Sequence, residues 1–412
     1  MNQTICNFEK RRSKSSASAK NCLILLLLAM ALNALLIGCS GGNDADDNSG
    51  ANEWAKEIPV EPEENFMSEA MGSNATITGY LGDAMEIRIP DKIGGRTVTE
   101  IGNGAFANCT GLTSVVIPDS VTKIGYGAFS GCSGLTRIFI PNGVTEIMGW
   151  HQIVYVNGTA VEGGTFEGCT GLTSVIIPES VTEIGSEVFN GCTGLTSINI
   201  PASVTKIGTR AFSGCTGLTS VSIPASVTEI GYGAFEGCTG LTSVTIPEGV
   251  TEIGSGAFNR CTGLTSVNIP SSVTKILGWT FHDCTGLTSV NIPDGVTKIG
   301  EEDFSGCTGL TSITIPASVT IIGSHAFEGC TGLTSVTISE GVAEIDRGAF
   351  YGCTGLTSIT IPSSVRKIGS HAFWDTGVTR DAAPQGAYVD SNAFGKSKSD
   401  TSSTIAPVGE AW

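Results

Sequence analysis

Positive charge is scarce in this 412-residue chain: Lys and Arg number 22 against 39 Asp and Glu, a net charge of −17. Nucleic-acid binders need a basic stripe, so nucleic acid is excluded as a partner, and so is electrostatic docking to anionic lipid. Histidine is rarer still, with four residues, at 151, 282, 325 and 371. There is no His-Glu-x-x-His, no Walker pattern and no Cys-x-x-Cys. Those absences leave no metal, no cofactor and no catalytic residue to expect. Long apolar runs are also missing. The longest, Leu23 to Ile37, is interrupted by Asn33 and is short for a membrane span.

That run has the context of a targeting segment. Lys10, Arg11, Arg12, Lys14 and Lys20 precede it, and Leu36-Ile37-Gly38-Cys39 follows, which looks like a bacterial lipobox. Residues 1–38 are expected to be a lipoprotein signal peptide, with Cys39 as the lipidated residue. The protein would then be exported, held at the bacterial outer membrane through its lipid alone, and displayed on the cell surface. The 38 residues carry five basic side chains and one acidic, so the charge from Cys39 onward is −21. Residues 39–75 hold much of that excess, including Asp44, Asp46, Asp47, Glu53, Glu57 and Glu61. Their composition predicts a flexible acidic tether.

Beyond the tether a 23-residue unit recurs. Its heart reads Cys-Thr-Gly-Leu-Thr-Ser-Val-x-Ile-Pro-x-x-Val-Thr-x-Ile-Gly-x-x-Ala-Phe-x-Gly. Cysteines mark it at 109, 132, 169, 192, 215, 238, 261, 284, 307, 330 and 353. Every interval is 23 except that from 132 to 169, which is 14 longer. A fixed period of this size means a solenoid whose coils contact mainly their neighbours.

The coil from Cys169 shows the reading. Leu172, Val175 and Ile177 alternate as the inward side of a short strand, and Pro178, lacking an N–H, ends it. Val181 and Ile184 form a second inward pair. Phe189 fills the core from a helical or 3₁₀ turn. Stacked strands should form a parallel sheet with rungs about 4.8 Å apart. The cysteines are expected to be buried unpaired thiols, because eleven is odd and parallel side chains hold their Cβ atoms slightly too far apart for disulfides. Residues 76–108 read as an N-terminal capping repeat through Ile87, Ile89, Pro90, Val98, Ile101 and Phe106. The array proper spans 109–380. Residues 381–412 form a C-terminal cap and polar tail, with Tyr388 and Ala393-Phe394 covering the last coil.

These residues resemble the BspA-like, treponemal-type subclass of leucine-rich repeat proteins over about 300 residues. The resemblance implies a leucine-rich repeat solenoid. It would be a right-handed superhelix with a parallel β-sheet on its concave face and short strands or 3₁₀ turns on its convex face. It also implies bacterial surface proteins, some of which adhere to host matrix proteins or to other cells. The shared motif is scaffold, so no binding residue carries over.

Function is therefore sought where the pattern breaks. Outward sheet positions lie five and seven residues after each Cys. The fifth is Ser everywhere except Arg137. The seventh is apolar in three coils, Val116, Phe139 and Ile176, and Asn, Ser or Thr in the other eight. An exposed apolar patch needs explaining. The 14 extra residues fall within 148–165 and contain Trp150, His151 and Tyr155. Asn157-Gly158 between β-branched runs predicts a type I′ hairpin. Two readings stand. In one, Val116, Arg137, Phe139 and Ile176 join Trp150, His151 and Tyr155 in a protein-binding patch. In the other, the insertion folds over Phe139 and merely covers it. The expected function is a surface binding or adhesion protein whose partner is a protein, with host extracellular-matrix protein one candidate and glycan another. The alternatives are a structural envelope component and, more remotely, a solenoid carbohydrate-active enzyme.

Overall fold

A computed structural model describes residues 53–149, 154–156, 159–161 and 163–395. The expected signal peptide and lipidation site Cys39 lie outside the described residues. The chain is a parallel-strand solenoid of about 13 turns with little helix. Each coil repeats the same physical steps. In the Cys169 coil, Cys169, Leu172, Val175, Ile177, Val181, Ile184 and Phe189 are all buried. Each such side chain contributes about 1.5–3 kcal/mol before entropy is subtracted. The carbonyl of Pro178 accepts the N–H of Val181 (3.0 Å), so the residue that ends the first strand also starts the turn. Gly191 stands at φ +70° just before Cys192, a left-handed corner that suits glycine.

Two ladders run along the array. First strands stack in register, for example Val221 on Val244 on Val267 on Val290. Second strands do likewise, as in Ile207 on Ile230 on Ile253 on Ile276. Thr hydroxyls on the first strands reinforce the stacking by donating to the preceding coil's Thr carbonyl, as from Thr242 to Thr219 (3.1 Å). Between the ladders the phenylalanines stack face to face from Phe106 to Phe394. Through the central coils, neighbouring centroids such as Phe235 and Phe258 lie 5.4 Å apart with planes 4° from parallel.

The eleven repeat cysteines, those among the described residues, are unpaired, ten of them buried and Cys109 half-buried. Each buried thiol donates to the carbonyl of a phenylalanine one rung below it, 26 residues earlier in the regular coils, as Cys238 Sγ does to Phe212 O (3.1 Å). The position therefore needs a small apolar side chain with one donor. Burial pushes the thiols up, Cys109 to about 11 and Cys169 and Cys215 to about 12. Iodoacetamide at pH 8 followed by peptide mapping is expected to leave the ten buried cysteines unmodified in the folded chain and to label all of them in guanidinium. Labelling of Cys238 before unfolding would contradict the ladder.

The N-terminal end corrects the expected tether. Regular structure is already present at Glu53–Glu57 and Phe66–Met71, inside the expected tether. Helix Glu53–Glu57 leads through Val60 into an antiparallel hairpin, Phe66–Met71 with Asn74–Tyr80, whose second strand runs parallel to Arg96–Ile101. The cap thus begins more than 20 residues before the expected 76. Ala55, Ile58, Phe66 and Ala75 are buried, while Glu53, Glu57, Glu64 and Glu69 point to solvent. The acidic composition masked an amphipathic pattern. At the other end Tyr388–Val389 extends the second-strand sheet, and Phe394 stacks on Phe373 at 5.2 Å, as expected.

The second-strand sheet is interrupted twice, between Glu146–Ile147 and Glu183–Ile184 and between Lys275–Ile276 and Lys298–Ile299. Both breaks follow a related run, Ile147-Met148-Gly149-Trp150 and Ile276-Leu277-Gly278-Trp279. Asp346 occupies the same position as Met148 and Leu277, yet its ladder stays intact, so the shared Met/Leu-Gly-Trp run marks the breaks better than loss of glycine alone. The first break leaves a cleft of about 400 Å³ lined by Tyr126, Glu146, Met148 and Glu183 among others. At the second, Gly300 N–H donates to the buried Asp303 carboxylate, whereas its counterpart Gly323 donates to the Ile299 carbonyl of the preceding coil (3.0 Å).

Candidate binding surfaces

The expected apolar patch is not open. Val116 is 1% exposed, because Ala55 and Ile58 pack on it, and Trp54 and Phe139 complete that small cluster. Phe139 is half-buried. The Arg137 guanidinium lies 4.5 Å over the Trp54 ring, and it also holds Glu86 Oε1 and Ser114 Oγ, both at 3.0 Å. Ile176, one coil further, remains 39% exposed. The N-terminal segment is therefore a cover that neither reading of the patch anticipated. The insertion's described ends, Gly149 and Gly164, lie instead against Ser186 and Glu187 in the next coil's turn. Val154–Val156 pairs antiparallel with Thr159–Val161, as the hairpin reading requires, and the Tyr155 backbone faces Ala160. Trp150 and His151 lie outside the described residues.

Over the later coils, outward first-strand positions such as Ser243, Thr245, Ser266 and Asn268 are exposed, as expected. They present uncharged hydroxyls and amides only. The chemically varied face is the turn side, which carries the phenylalanine turns. Tyr232, Trp279 and Tyr351 are exposed there, with Arg210 over the Tyr232 ring at 5.5 Å. Trp279 sits at φ +70°, a position held by Gly233 and Gly256 in the two coils before it. A bulky side chain in that conformation costs about 1–2 kcal/mol.

Around Trp279 the coils bring together residues distant in sequence. His282 stacks on Trp279 at 4.9 Å. Its Nδ1 lies 3.2 Å from Asn259 Oδ1 and 3.4 Å from Asp283, and its Nε2 lies 3.4 Å from Glu302. Arg260 reaches Asp283 at 3.7 Å, and His325 pairs with Glu328 at 2.6 Å. Burial raises the Glu302 carboxyl, against the pull of His282 and His325. Sequence reasoning missed this cluster because it looked for departures from the repeat only at the outward sheet positions and in the insertion. The available signal was the run Leu277-Gly278-Trp279-Thr280-Phe281-His282-Asp283, which departs from the repeat at several positions.

The comparisons agree with this architecture. The BspA type leucine rich repeat region family matches residues 85–150, 159–288 and 278–400. The chain belongs to that family. No curated protein matches it. Among solved structures, a leucine-rich repeat protein from Bacteroides ovatus is 26% identical with a TM-score of 0.63, covering 82% of this chain and 90% of its own. A leucine-rich repeat protein from Eubacterium ventriosum is 24% identical with a TM-score of 0.51, covering 78% and 94%. The T. pallidum leucine rich repeat protein is 33% identical over 50% of this chain and 91% of its own, with a TM-score of 0.45.

Proposed function

We propose that the chain is an exported surface lipoprotein, anchored to the bacterial outer membrane through Cys39, whose solenoid binds a protein ligand without catalysis and so serves adhesion. The observation that carries this reading is the exposed Trp279 on a turn face shared with Tyr232, Tyr351, Arg210 and Arg260. Trp, Tyr and Arg dominate the energetics of protein interfaces. We include Trp150, His151 and Tyr155 of the insertion in the binding surface on residue type alone, and Ile176 offers a separate apolar contact on the first-strand side. Host extracellular-matrix protein is the ligand class this composition fits best, and glycan is the alternative along the Ser/Thr/Asn ladder.

The test is capture of matrix proteins and glycans on an array by the full chain, alongside protease shaving of intact cells. Replacing Trp279 by glycine is expected to weaken capture at least tenfold, the loss of one anchor of about 2 kcal/mol. The same change should raise stability by about 1 kcal/mol, because glycine takes the left-handed conformation without strain. Unchanged capture by a stable W279G chain would remove the turn face from the reading. Blank arrays with spontaneous self-assembly would favour a structural envelope role instead.

A further inference from the structure

Residues 53–61 form a strap across the end of the first-strand sheet. Glu61 N–H donates to the Arg88 carbonyl (2.9 Å), Arg88 N–H donates to the Pro59 carbonyl (3.2 Å), and Val60 bridges Arg88 in parallel. The Arg88 guanidinium reaches the Ala55 and Ile58 carbonyls. Strand addition to a sheet edge, with side chains dropped into a neighbouring pocket, is a recurring way of binding peptides. The strap fits that description within its own chain: Ile58 is buried against Val116, and Trp54 lies under Arg137.

Its hold is thin. The helix has five residues, too few to persist without tertiary support. Its apolar cluster, Ala55, Ile58 and Val116 with Trp54 and Phe139, is separate from the continuous solenoid core. That cluster, the Arg88 and Arg137 contacts and the hydrogen bonds that Glu61 Oε1 accepts from Asn65 Nδ2 (2.7 Å) and the Tyr80 hydroxyl (3.1 Å) must offset the ordering of nine backbone residues, which is the balance at which a segment opens locally.

We propose that the strap is a displaceable occupant of a peptide-docking groove. Val116 and Phe139 form its floor, Arg137 its rim and Glu86–Arg88 its pairing edge. The groove accepts a segment of a partner protein that makes one helical turn, with an aromatic residue four positions ahead of an aliphatic one, and then pairs in extended form with Arg88. The strap itself shows the chemistry: Trp54 and Ile58 have that spacing, Trp54 lies under the Arg137 guanidinium, and the Ala55 and Ile58 carbonyls meet Arg88. These residues are distinct from the turn face, so the two proposals stand or fall separately.

The probe is a fluorescein-labelled peptide with the sequence of residues 53–62, tested against the full chain. In the wild type, the Glu61 and Arg88 amides should exchange with deuterium about tenfold or more faster than core amides such as Ile253. A Trp54→Ala/Ile58→Ser chain should bind the labelled peptide at least about tenfold more tightly than the wild type, because the competing strap is weakened. Adding Phe139→Ser, or Arg137→Glu where that variant folds poorly, should abolish the gain, and a scrambled peptide should not bind. Wild-type strap amides exchanging as slowly as the core would overturn the proposal. So would a double variant that fails to bind the peptide, whether its strap exchanges fast or slowly. Dimerisation of the double variant without peptide would seat a second copy in the groove and overturn the partner assignment.

Discussion

Replacing Phe281 by alanine is expected to cost about 3–5 kcal/mol and to divide the unfolding of the array into two transitions. The same change at Phe235 should cost as much locally yet leave a single transition. Both rings are fully buried and stacked on both sides. They differ in what else joins their coils. At Phe235 the second strands are paired through Glu229–Ile230 and Glu252–Ile253. Between the Phe281 and Phe304 coils that pairing is interrupted, while the rings keep a 5.5 Å, nearly parallel contact. In a solenoid, cooperativity is carried by nearest-neighbour interfaces, so an interface that lacks one ladder's backbone hydrogen bonds is where the array divides first. Urea titrations followed by circular dichroism and by hydrogen exchange on each side of the break would show this. Identical profiles for the two variants would mean that the sheet interruption carries no energetic weight.

The regular part of the molecule was legible because period, inward side chains and turn residues all point to one solution. Leu172, Val175, Ile177 and Phe189 were read as core from alternation and spacing, and they are buried. Tyr388 and Phe394 were read as cover, and they continue the sheet and the ring stack. The cap was misread because residues 53–75 carry charge at a density typical of disorder, while the few apolar residues among them act only through tertiary contacts with Val116, Tyr80 and Phe106. The apolar patch was real as a pattern, but its occupant lies some 60–80 residues upstream in sequence. The turn-face cluster escaped for the opposite reason. Trp279, His282, Glu302 and His325 are spread over 47 positions, and only the stacking of three coils makes them neighbours. A consensus search discards such departures as noise, although they are where a repeat protein acquires chemistry of its own.

Asp303→Asn is expected to stabilise the array by about 2–4 kcal/mol at pH 8 and by little at pH 4. Asp303 stands where Ala257, Ala326 and Ala349 stand in other coils, and it is fully buried. Burial pushes its carboxyl up to about 7, against the pull of hydrogen bonds from Gly300 and Thr280 and of Lys298. Between an unfolded value near 3.8 and that folded value, the native chain keeps a proton that the unfolded chain releases. Unfolding free energy therefore falls as pH rises through this window, by at most about 4 kcal/mol, and levels off above pH 7. Asparagine cannot ionise, and it still offers one carbonyl oxygen to the Gly300 N–H, so its stability should be flat over the same range. Alanine would also remove the charge, but it would strip the partner from the Gly300 N–H, which at this break does not pair with the preceding coil's carbonyl. The order at pH 8 should thus be asparagine above alanine, and the gap between them measures what the carboxylate's hydrogen bond contributes to the interrupted interface. Urea midpoints at pH 4, 6 and 8 would decide the matter. A wild-type chain whose stability does not decline between pH 4 and 7, with D303N tracking it throughout, would mean that Asp303 ionises freely and that water reaches the break.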